Sequence, residues 1–207
     1  MRLYYSPAAC SLAPHIVARE AGIALTLVKV DLAKHKTTDG RDFHEVSPNG
    51  YVPALELDSG EVFTEAALII QYLADLKPSS GLLPAAGTIE RYRAQEWLHF
   101  IATELHKGFG PLWYPTTPDS VRRQTVHKLA KRFGYIEGKL AGRDYIAGAK
   151  FTAPDAYAFT ILNWAGPLKV DLSPWPGLQA YVARIAARPG VRAAMQAEGL
   201  LKEEVAA

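Results

Sequence analysis

The stretch Asn49-Gly50-Tyr51-Val52-Pro53-Ala54-Leu55-Glu56-Leu57 decides the fold of this chain. Its first two residues are a turn signal, and the rest is a β-rich run that contains a proline. Because proline lacks the N–H of a β ladder, we expect Pro53 at the edge of a sheet or at a bend. A cis Val52–Pro53 bond is one reason for a proline there, and a trans proline that opens the strand is the more frequent alternative.

The residues before this stretch predict a βαβ unit. A strand, a helix and a second strand occupy Arg2–Tyr5, Ser11–Ala21 and Leu25–Val30. Ser11 is of the type that caps the start of a helix, and Gly22 is of the type that ends one. The two strands of such a unit are expected to be parallel.

The residues after it predict a hairpin and a helix. Asp58–Gly60 is a tight turn between the third strand and a short fourth strand at Val62–Phe63. Thr64–Leu76 follows, with apolar residues at helical spacing. We therefore predict an α/β domain over residues 1–80, with the order βαβ–ββα and a mixed four-stranded sheet.

The second half of the chain predicts an all-α domain. Lys77–Gly81 has the composition of a linker, and no strand pair follows it. Helical periodicity covers five segments, which are Thr88–Gly108, Ser120–Leu140, Thr152–Trp164, Gly177–Arg188 and Val191–Glu198. Thr152 and Asp155 form a capping pattern at the start of the third of these helices. We assign residues 87–207 to the helical domain.

Composition narrows the class of protein. Hydrophobic residues make up 49% of the chain and charged residues 21%, which is typical of a globular protein. The net charge is +2 and the basic residues are scattered, so we expect no nucleic-acid partner. Signal-peptide features and long apolar runs are absent, so we expect a cytoplasmic protein with no membrane partner. A single cysteine excludes an internal disulfide.

Cys10 is the first candidate for chemistry. It lies between the first strand and the first helix, where the positive end of the helix favours a thiolate. The alternative is a buried cysteine that acts only as a small apolar residue. No second cysteine follows at C-x-x-C spacing, which excludes dithiol redox chemistry within one chain.

Glu65 is the second candidate, because it opens the helix that follows the fourth strand. Its carboxylate and the nearby backbone N–H groups could hold the ammonium and the carboxylate of an α-amino acid. The alternative is an ordinary acid that stabilises the helix dipole. Metal, triad and phosphate-loop motifs are absent and the six histidines show no ligand spacing, so we expect no metal.

These features together resemble the cytosolic glutathione transferases, and in detail the bacterial beta class. The resemblance covers nearly the whole chain and rests on five stretches, which are Tyr5–Leu12 (YSPAACSL), Asn49–Leu55 (NGYVPAL), Gln71–Asp75 (QYLAD), Ile101–Phe109 (IATELHKGF) and Phe151–Tyr157 (FTAPDAY). It implies a thioredoxin-like first domain with a cis Pro53. It also implies glutathione as the co-substrate, small hydrophobic electrophiles as second substrates, and a homodimer.

The resemblance also implies which residues bind glutathione. The backbone of Val52 beside Pro53 would hold the cysteinyl part, and Glu65 with the backbone of Ala66 would hold the γ-glutamyl end. Cys10 would lie beside the glutathione sulfur. The full implied set is Cys10, His35, Val52, Pro53, Glu65, Ala66, His99, Thr103, Glu104, Leu105, His106 and Lys107.

The chain departs from the class pattern within this set. His35 and His99 stand where the class commonly has Lys and Asn. Ala66 replaces the more usual Gly or Ser, so only its backbone can bind. The expected electrophile site consists of apolar residues around Ala8, Trp113, Tyr114 and Trp164.

Catalysis is expected to involve Cys10, Ser11 and His106, with His106 facing the glutathione sulfur from the second domain. Cys10 can donate a hydrogen bond to that sulfur only as a thiol, whereas its thiolate would form a mixed disulfide with glutathione. We therefore expect His106 or Ser11 to matter at least as much as Cys10 for conjugation. The expected activity is conjugation of aromatic or halogenated electrophiles, with redox or dehalogenation activity through Cys10. Two alternatives are a monothiol disulfide oxidoreductase and a non-catalytic binding or regulatory protein of the same fold.

Overall fold

The computed structural model describes residues 1–201 and contains one mixed sheet, built from the N-terminal part of the chain. Its five strands are β1 (Arg2–Tyr5), β2 (Thr26–Asp31), β3 (Lys36–Thr37), β4 (Ala54–Glu56) and β5 (Val62–Thr64), in the spatial order β3-β2-β1-β4-β5. β1 pairs with β2 in parallel and with β4 in antiparallel orientation. β4 and β5 form the predicted antiparallel hairpin, in which Leu55 lies opposite Phe63.

The prediction of four strands is corrected by β3. This two-residue strand pairs antiparallel with the end of β2, where Val30 lies opposite Thr37. Its residues belong to a polar stretch that shows no alternation. A strand of two residues is too short to produce the period-2 pattern by which strands are found in a sequence. The βαβ–ββα order of the larger elements is confirmed.

The chain divides into two compact units. Within residues 1–201, the first contains Met1–Leu83 and residues 187–201, and the second contains Pro84–Ala186. The predicted helical domain over 87–207 therefore differs from the second unit at its C-terminal end. The last helix, α8 (Pro189–Ala197), packs against α1 (Leu12–Ala21) in the first unit, where Arg188 forms a salt bridge with Glu20 at 2.6 Å.

The second unit is helical, as predicted. Its helices are α3 (Ile89–Phe100), α4 (Lys107–Phe109), α5 (Asp119–Leu140), α6 (Ala153–Leu162) and α7 (Pro176–Ala186). A π-helical segment, Ile101–His106, joins α3 to α4 in one continuous run. The remaining helix of the first unit is α2 (Ala66–Leu76). Within residues 1–201, none of the helices combines the length and the apolar character that a bilayer span requires.

Asp155 ties the start of α6 to its surroundings. Its fully buried carboxylate accepts hydrogen bonds from Thr152 N–H at 2.8 Å and Thr152 Oγ1 at 2.7 Å, which confirms that the acid bonds back to the capping residue. It also accepts from Ile146 N–H and from the hydroxyl of Tyr181, each at 2.9 Å. Burial raises the pKa of the Asp155 carboxyl, and these donors act in the opposite direction.

Candidate glutathione site

The Val52–Pro53 bond is cis, as predicted. Val52 and Pro53 directly precede β4, and within residues 1–201 the Val52 N–H forms no hydrogen bond. The Cys10 thiol, which is 8% exposed, donates to the Val52 carbonyl at 3.2 Å. Since a carbonyl oxygen has two lone pairs, Val52 retains one acceptor position beside its unpaired N–H. An extended peptide backbone requires this donor and acceptor pair.

Ser11 does not cap α1 with its side chain, contrary to the prediction. Its fully buried hydroxyl donates to the Ser6 carbonyl and accepts from the Ser6 N–H, both at 3.2 Å. The hydroxyl therefore closes the loop that carries Cys10. It competes with the capping geometry because a serine side chain can bond several nearby backbone groups.

Glu65 occupies the N-cap position of α2 with an unusual backbone. Its φ is 68° and its ψ is 112°, which an L residue adopts only at a cost of about 1–3 kcal/mol. The side chain is exposed and forms no capping bond, while the next residue, Ala66, is buried. A strained residue with a free carboxylate at a helix N-terminus is suited to a ligand with an ammonium group.

His35 lies in the loop before β3, also with a positive φ, of 49°. Its ring packs on His44 with the centroids 4.4 Å apart. The Nδ1 atom of His35 is buried and has no hydrogen-bond partner. Gly50 leaves room for it, because a Cβ at that position would lie 2.8 Å from this nitrogen. An unpaired buried nitrogen is a group that a ligand can satisfy.

The other candidates lie on the run of helix in the second unit. His99 donates from Nδ1 to the Gln95 carbonyl at 2.8 Å, and Thr103 donates its hydroxyl to the His99 carbonyl at 2.9 Å. Glu104 forms a salt bridge with Arg132 of α5. The side chain of Leu105 is fully buried, whereas Lys107 is exposed. Only some of these side chains are therefore open to a ligand, and Leu105 belongs to the core.

His106 ends the π-helical segment. Its Nδ1 lies 2.7 Å from the hydroxyl of Tyr157 on α6, a buried residue. Burial, with a smaller effect from the charge of Lys107, lowers the pKa of His106 from 6.5 to about 4. The imidazole is therefore neutral at pH 7. Single π-helical turns occur often at functional sites, and no pattern in the sequence predicts one here.

Trp164 connects His106 to an aromatic cluster in the same unit. The rings of His106, Trp113 and Phe109 each form an edge-to-face contact with the Trp164 ring. The centroid distances are 5.0, 5.2 and 6.1 Å, respectively. Trp113 is 45% exposed and Tyr114 is 65% exposed. Phe109 is fully buried, so it supports Trp164 from the core and is not part of the exposed surface. Exposed aromatic rings beside a neutral imidazole provide an apolar surface with one polar group.

Among residues 1–201, no three or more His, Cys, Asp or Glu side chains are grouped so that they could hold a metal ion. The thioredoxin-like sheet with its cis proline and a helical unit that carries a half-buried, neutral histidine are typical of the class of glutathione-dependent transferases. Two family models match the chain, the glutathione S-transferase N-terminal domain over residues 8–76 and the C-terminal domain over residues 100–189.

Named relatives and solved structures agree with these matches. Glutathione S-transferase GstA of Escherichia coli O157:H7 is 46% identical over 97% of this chain and 100% of that protein. A bacterial beta-class glutathione S-transferase of Sphingomonas chungbukensis is 46% identical, with a TM-score of 0.94 over 97% of this chain and all of that one. A sphingomonad glutathione S-transferase complexed with glutathione gives a TM-score of 0.93 at the same identity and coverage. The chain belongs to the glutathione S-transferase family, as an enzyme whose co-substrate is glutathione.

Proposed function

We propose that the chain conjugates glutathione to small hydrophobic electrophiles, aromatic or halogenated, in the cytoplasm. The observation that carries this proposal is the set of unsatisfied groups in the first unit. The Val52 N–H has no partner within residues 1–201, and Glu65 is held in a strained conformation with its carboxylate exposed. These groups match the peptide backbone and the ammonium of a γ-glutamyl tripeptide.

Glutathione is held, in this proposal, by groups from both units. Cys10, Val52, Pro53, Glu65 and the backbone of Ala66 form the part on the first unit. His35 joins them, supported by its unpaired Nδ1. The contribution of the second unit comes from His99, Thr103, Glu104, the backbone of Leu105, His106 and Lys107.

His106 is proposed as the group that stabilises the glutathione thiolate. The glutathione thiol has an ordinary pKa of about 8.5, so only a few per cent is ionised at neutral pH without help. We assign the Tyr157 hydroxyl as the donor to Nδ1, so that the neutral imidazole carries its proton on Nε2 and can donate it to a sulfur anion. Ser11 contributes by shaping the Cys10 loop, which is supported by its two bonds to Ser6.

The electrophile site is proposed to include Ala8, Trp113, Tyr114 and Trp164. The aromatic cluster around Trp164 supports this assignment. We also propose a homodimer, supported by exposed apolar side chains such as Leu68 on α2 and Tyr92 on α3. Light scattering of the purified protein is expected to give twice the mass of one chain, and the mass of a single chain would contradict the dimer.

Three measurements on the purified protein test the function. Retention on immobilised glutathione and turnover of an aromatic halide are both expected. Reduction of a glutathione mixed disulfide faster than conjugation would favour the monothiol oxidoreductase. Binding without either turnover would favour a binding protein, and absence of retention together with absence of turnover would overturn the proposal.

A further inference from the structure

His35 and His44 form a pair of packed rings in the first unit, on the segments that precede and follow β3. The Phe43 N–H donates to the His35 carbonyl at 2.8 Å, which ties the two segments together. Both rings converge on Gly50, where a Cβ would lie 2.8 Å from His35 Nδ1 and 3.0 Å from His44 Nε2. These two nitrogens therefore face the same small space, which a glycine leaves open.

Asp42 fixes the position of the proton on His44. Its Oδ1 accepts a hydrogen bond from the His44 backbone N–H at 2.9 Å and lies 3.0 Å from His44 Nδ1. Hydrogen bonds from the backbone and then the side chain of His44 lower the pKa of the Asp42 carboxyl, so this group is ionised at neutral pH. Because a carboxylate only accepts hydrogen bonds, we assign the His44 proton to Nδ1. The lone pair of the neutral ring is then on Nε2, the nitrogen that faces Gly50.

His35 supplies a nitrogen that needs a partner. Its Nδ1 is buried and has no hydrogen-bond partner within residues 1–201, although the residue as a whole is only partly buried. When this ring is protonated, Nδ1 becomes a donor, and His44 Nε2 is an acceptor beside it. The second donor of the ring, Nε2, can then bind an anion. Such an anion satisfies the buried nitrogen indirectly, because it favours the protonated ring.

The position of His35 in the proposed glutathione site identifies the anion, and this step rests on the proposed function. Gly50 precedes Val52 by two residues, so His35 lies next to the segment that is proposed to hold the cysteinyl backbone. Glu65 is proposed to bind the ammonium of the γ-glutamyl residue. The opposite end of an extended tripeptide is its glycine, whose carboxylate matches an imidazolium.

We infer that His44 and Asp42 are positioning residues for His35, which they hold as an imidazolium against the glycyl carboxylate of glutathione. The lysine that is common at position 35 in the class keeps its charge well above neutral pH, whereas an ordinary histidine loses its charge at about pH 6.5. The affinity of this chain for glutathione is therefore expected to fall as the pH rises through that value.

The other charged groups on these segments do not replace Asp42. They are two ion pairs and one lysine, namely Lys34 with Asp31 at 3.5 Å, Arg41 with Glu45 at 3.0 Å, and Lys36. Lys36 opposes a positive charge on His35, and the carboxylate of Asp42 offsets it. The side chains of His44 and Asp42 are about half exposed, so the loss of either is expected to weaken binding only about threefold.

The test compares glutathione with its ethyl ester at the glycine, which lacks the glycyl carboxylate. Calorimetry is expected to show that the dissociation constant of glutathione rises about tenfold from pH 5.5 to pH 7.5, whereas that of the ester stays constant. His44→Ala and Asp42→Asn should each weaken the binding of glutathione about threefold at pH 6.5 and leave the ester unaffected.

Two further variants complete the test. His35→Lys should bind glutathione equally well at both pH values, and in that background His44→Ala and Asp42→Asn should have no further effect. His127→Ala removes an exposed histidine from α5 and is the matched control, which should behave as the wild type does.

The outcomes separate this inference from the proposed function. A wild-type protein that binds glutathione equally well at both pH values would overturn the inference and leave the proposed function in place. Equal losses for glutathione and the ester would overturn it too, as would losses that persist beside His35→Lys. Retained binding of the ester shows that each variant folds. A wild type that binds glutathione at neither pH would contradict the proposed function itself.

Discussion

The hydroxyl of Tyr157 lies 2.7 Å from Nδ1 of His106, and this contact joins two elements of the helical unit that are 51 residues apart in the sequence. A histidine ring can bind through either nitrogen, and the partner of one nitrogen determines the role of the other. Tyr157 is buried and His106 is neutral at pH 7, so the pair holds one ring orientation without a charge.

We predict that Tyr157→Phe lowers kcat for an aromatic halide about fivefold, because a neutral hydrogen bond contributes about 1 kcal/mol. KM for glutathione should change less, since the variant loses ring orientation and no proposed contact with the tripeptide. Tyr135→Phe, which removes an exposed hydroxyl from α5, is the matched control and should be without effect. In an enzyme that already carries His106→Asn, Tyr157→Phe should have no further effect on kcat. A further loss there would contradict coupling through His106.

The lowered pKa of His106 predicts a change of stability with pH. The unfolded chain takes up a proton on this residue near pH 6.5, whereas the folded chain does so only at about pH 4. The unfolded state therefore binds more protons between these values, and the free energy of unfolding falls as the pH is lowered through that window. Urea unfolding of the wild type and of His106→Asn should differ in pH dependence by about 2–3 kcal/mol. A difference that stays constant from pH 7 to pH 4 would contradict the assignment.

Cys10 should be more important for redox chemistry than for conjugation. Its thiol donates a hydrogen bond to the Val52 carbonyl at 3.2 Å. The thiol proton is therefore directed at this carbonyl and not at a glutathione sulfur. We predict that Cys10→Ala keeps most of the activity on an aromatic halide and loses turnover of a glutathione mixed disulfide. Cys10→Ser preserves the donor and serves as the comparison for both assays. Complete loss of conjugation in Cys10→Ala would refute the prediction.

The strain at Glu65 predicts a trade-off between stability and binding. Glu65→Ala keeps the unfavourable φ of 68°, and Glu65→Gly relieves it. Both variants should lose at least about tenfold in affinity for glutathione, measured by calorimetry, because both lose a charged hydrogen bond. The glycine variant should be the more stable by about 1 kcal/mol. Equal stability of the two would show that the backbone is not strained, and unchanged affinity would remove Glu65 from the site.

Local signals explain which parts of the molecule the sequence predicted. Pro53 restricts its own segment, and Thr152 with Asp155 forms a cap within four residues, so both are visible without knowledge of the fold. The strand β3 was not predicted because two residues are too few to show an alternating pattern. The hydrogen bond between His106 and Tyr157 was not predicted because the two residues come together only when the helices pack.

The unit to which α8 belongs could not be predicted for the same reason. Its amphipathic pattern predicts a helix but does not indicate which surface it covers. The contacts that place it with the first unit join residues more than 150 positions apart, such as Glu20 with Arg188.

Glu198, directly after α8, carries the last prediction. Its carboxylate is fully buried and lies 2.9 Å from Nδ1 of His15, and it accepts from the Ala8 N–H at 3.3 Å. Arg19 donates to the other nitrogen of His15 at 3.3 Å, so the proton between His15 and Glu198 lies on Nδ1. Ala8 has a φ of 61° and precedes Cys10 by two residues, so this carboxylate supports a strained turn of the Cys10 loop.

We expect Glu198→Ala to lower the free energy of unfolding by about 3–5 kcal/mol, because it leaves His15 and the Ala8 N–H without their shared acceptor in a buried place. Glu198→Gln retains one acceptor oxygen and should lose less. Glu61→Ala, which removes an exposed carboxylate from the hairpin, should change stability by less than about 0.5 kcal/mol. Urea unfolding measures all three. If Glu198→Ala unfolds at the same urea concentration as Glu61→Ala, this carboxylate does not stabilise the Cys10 loop from its position after α8.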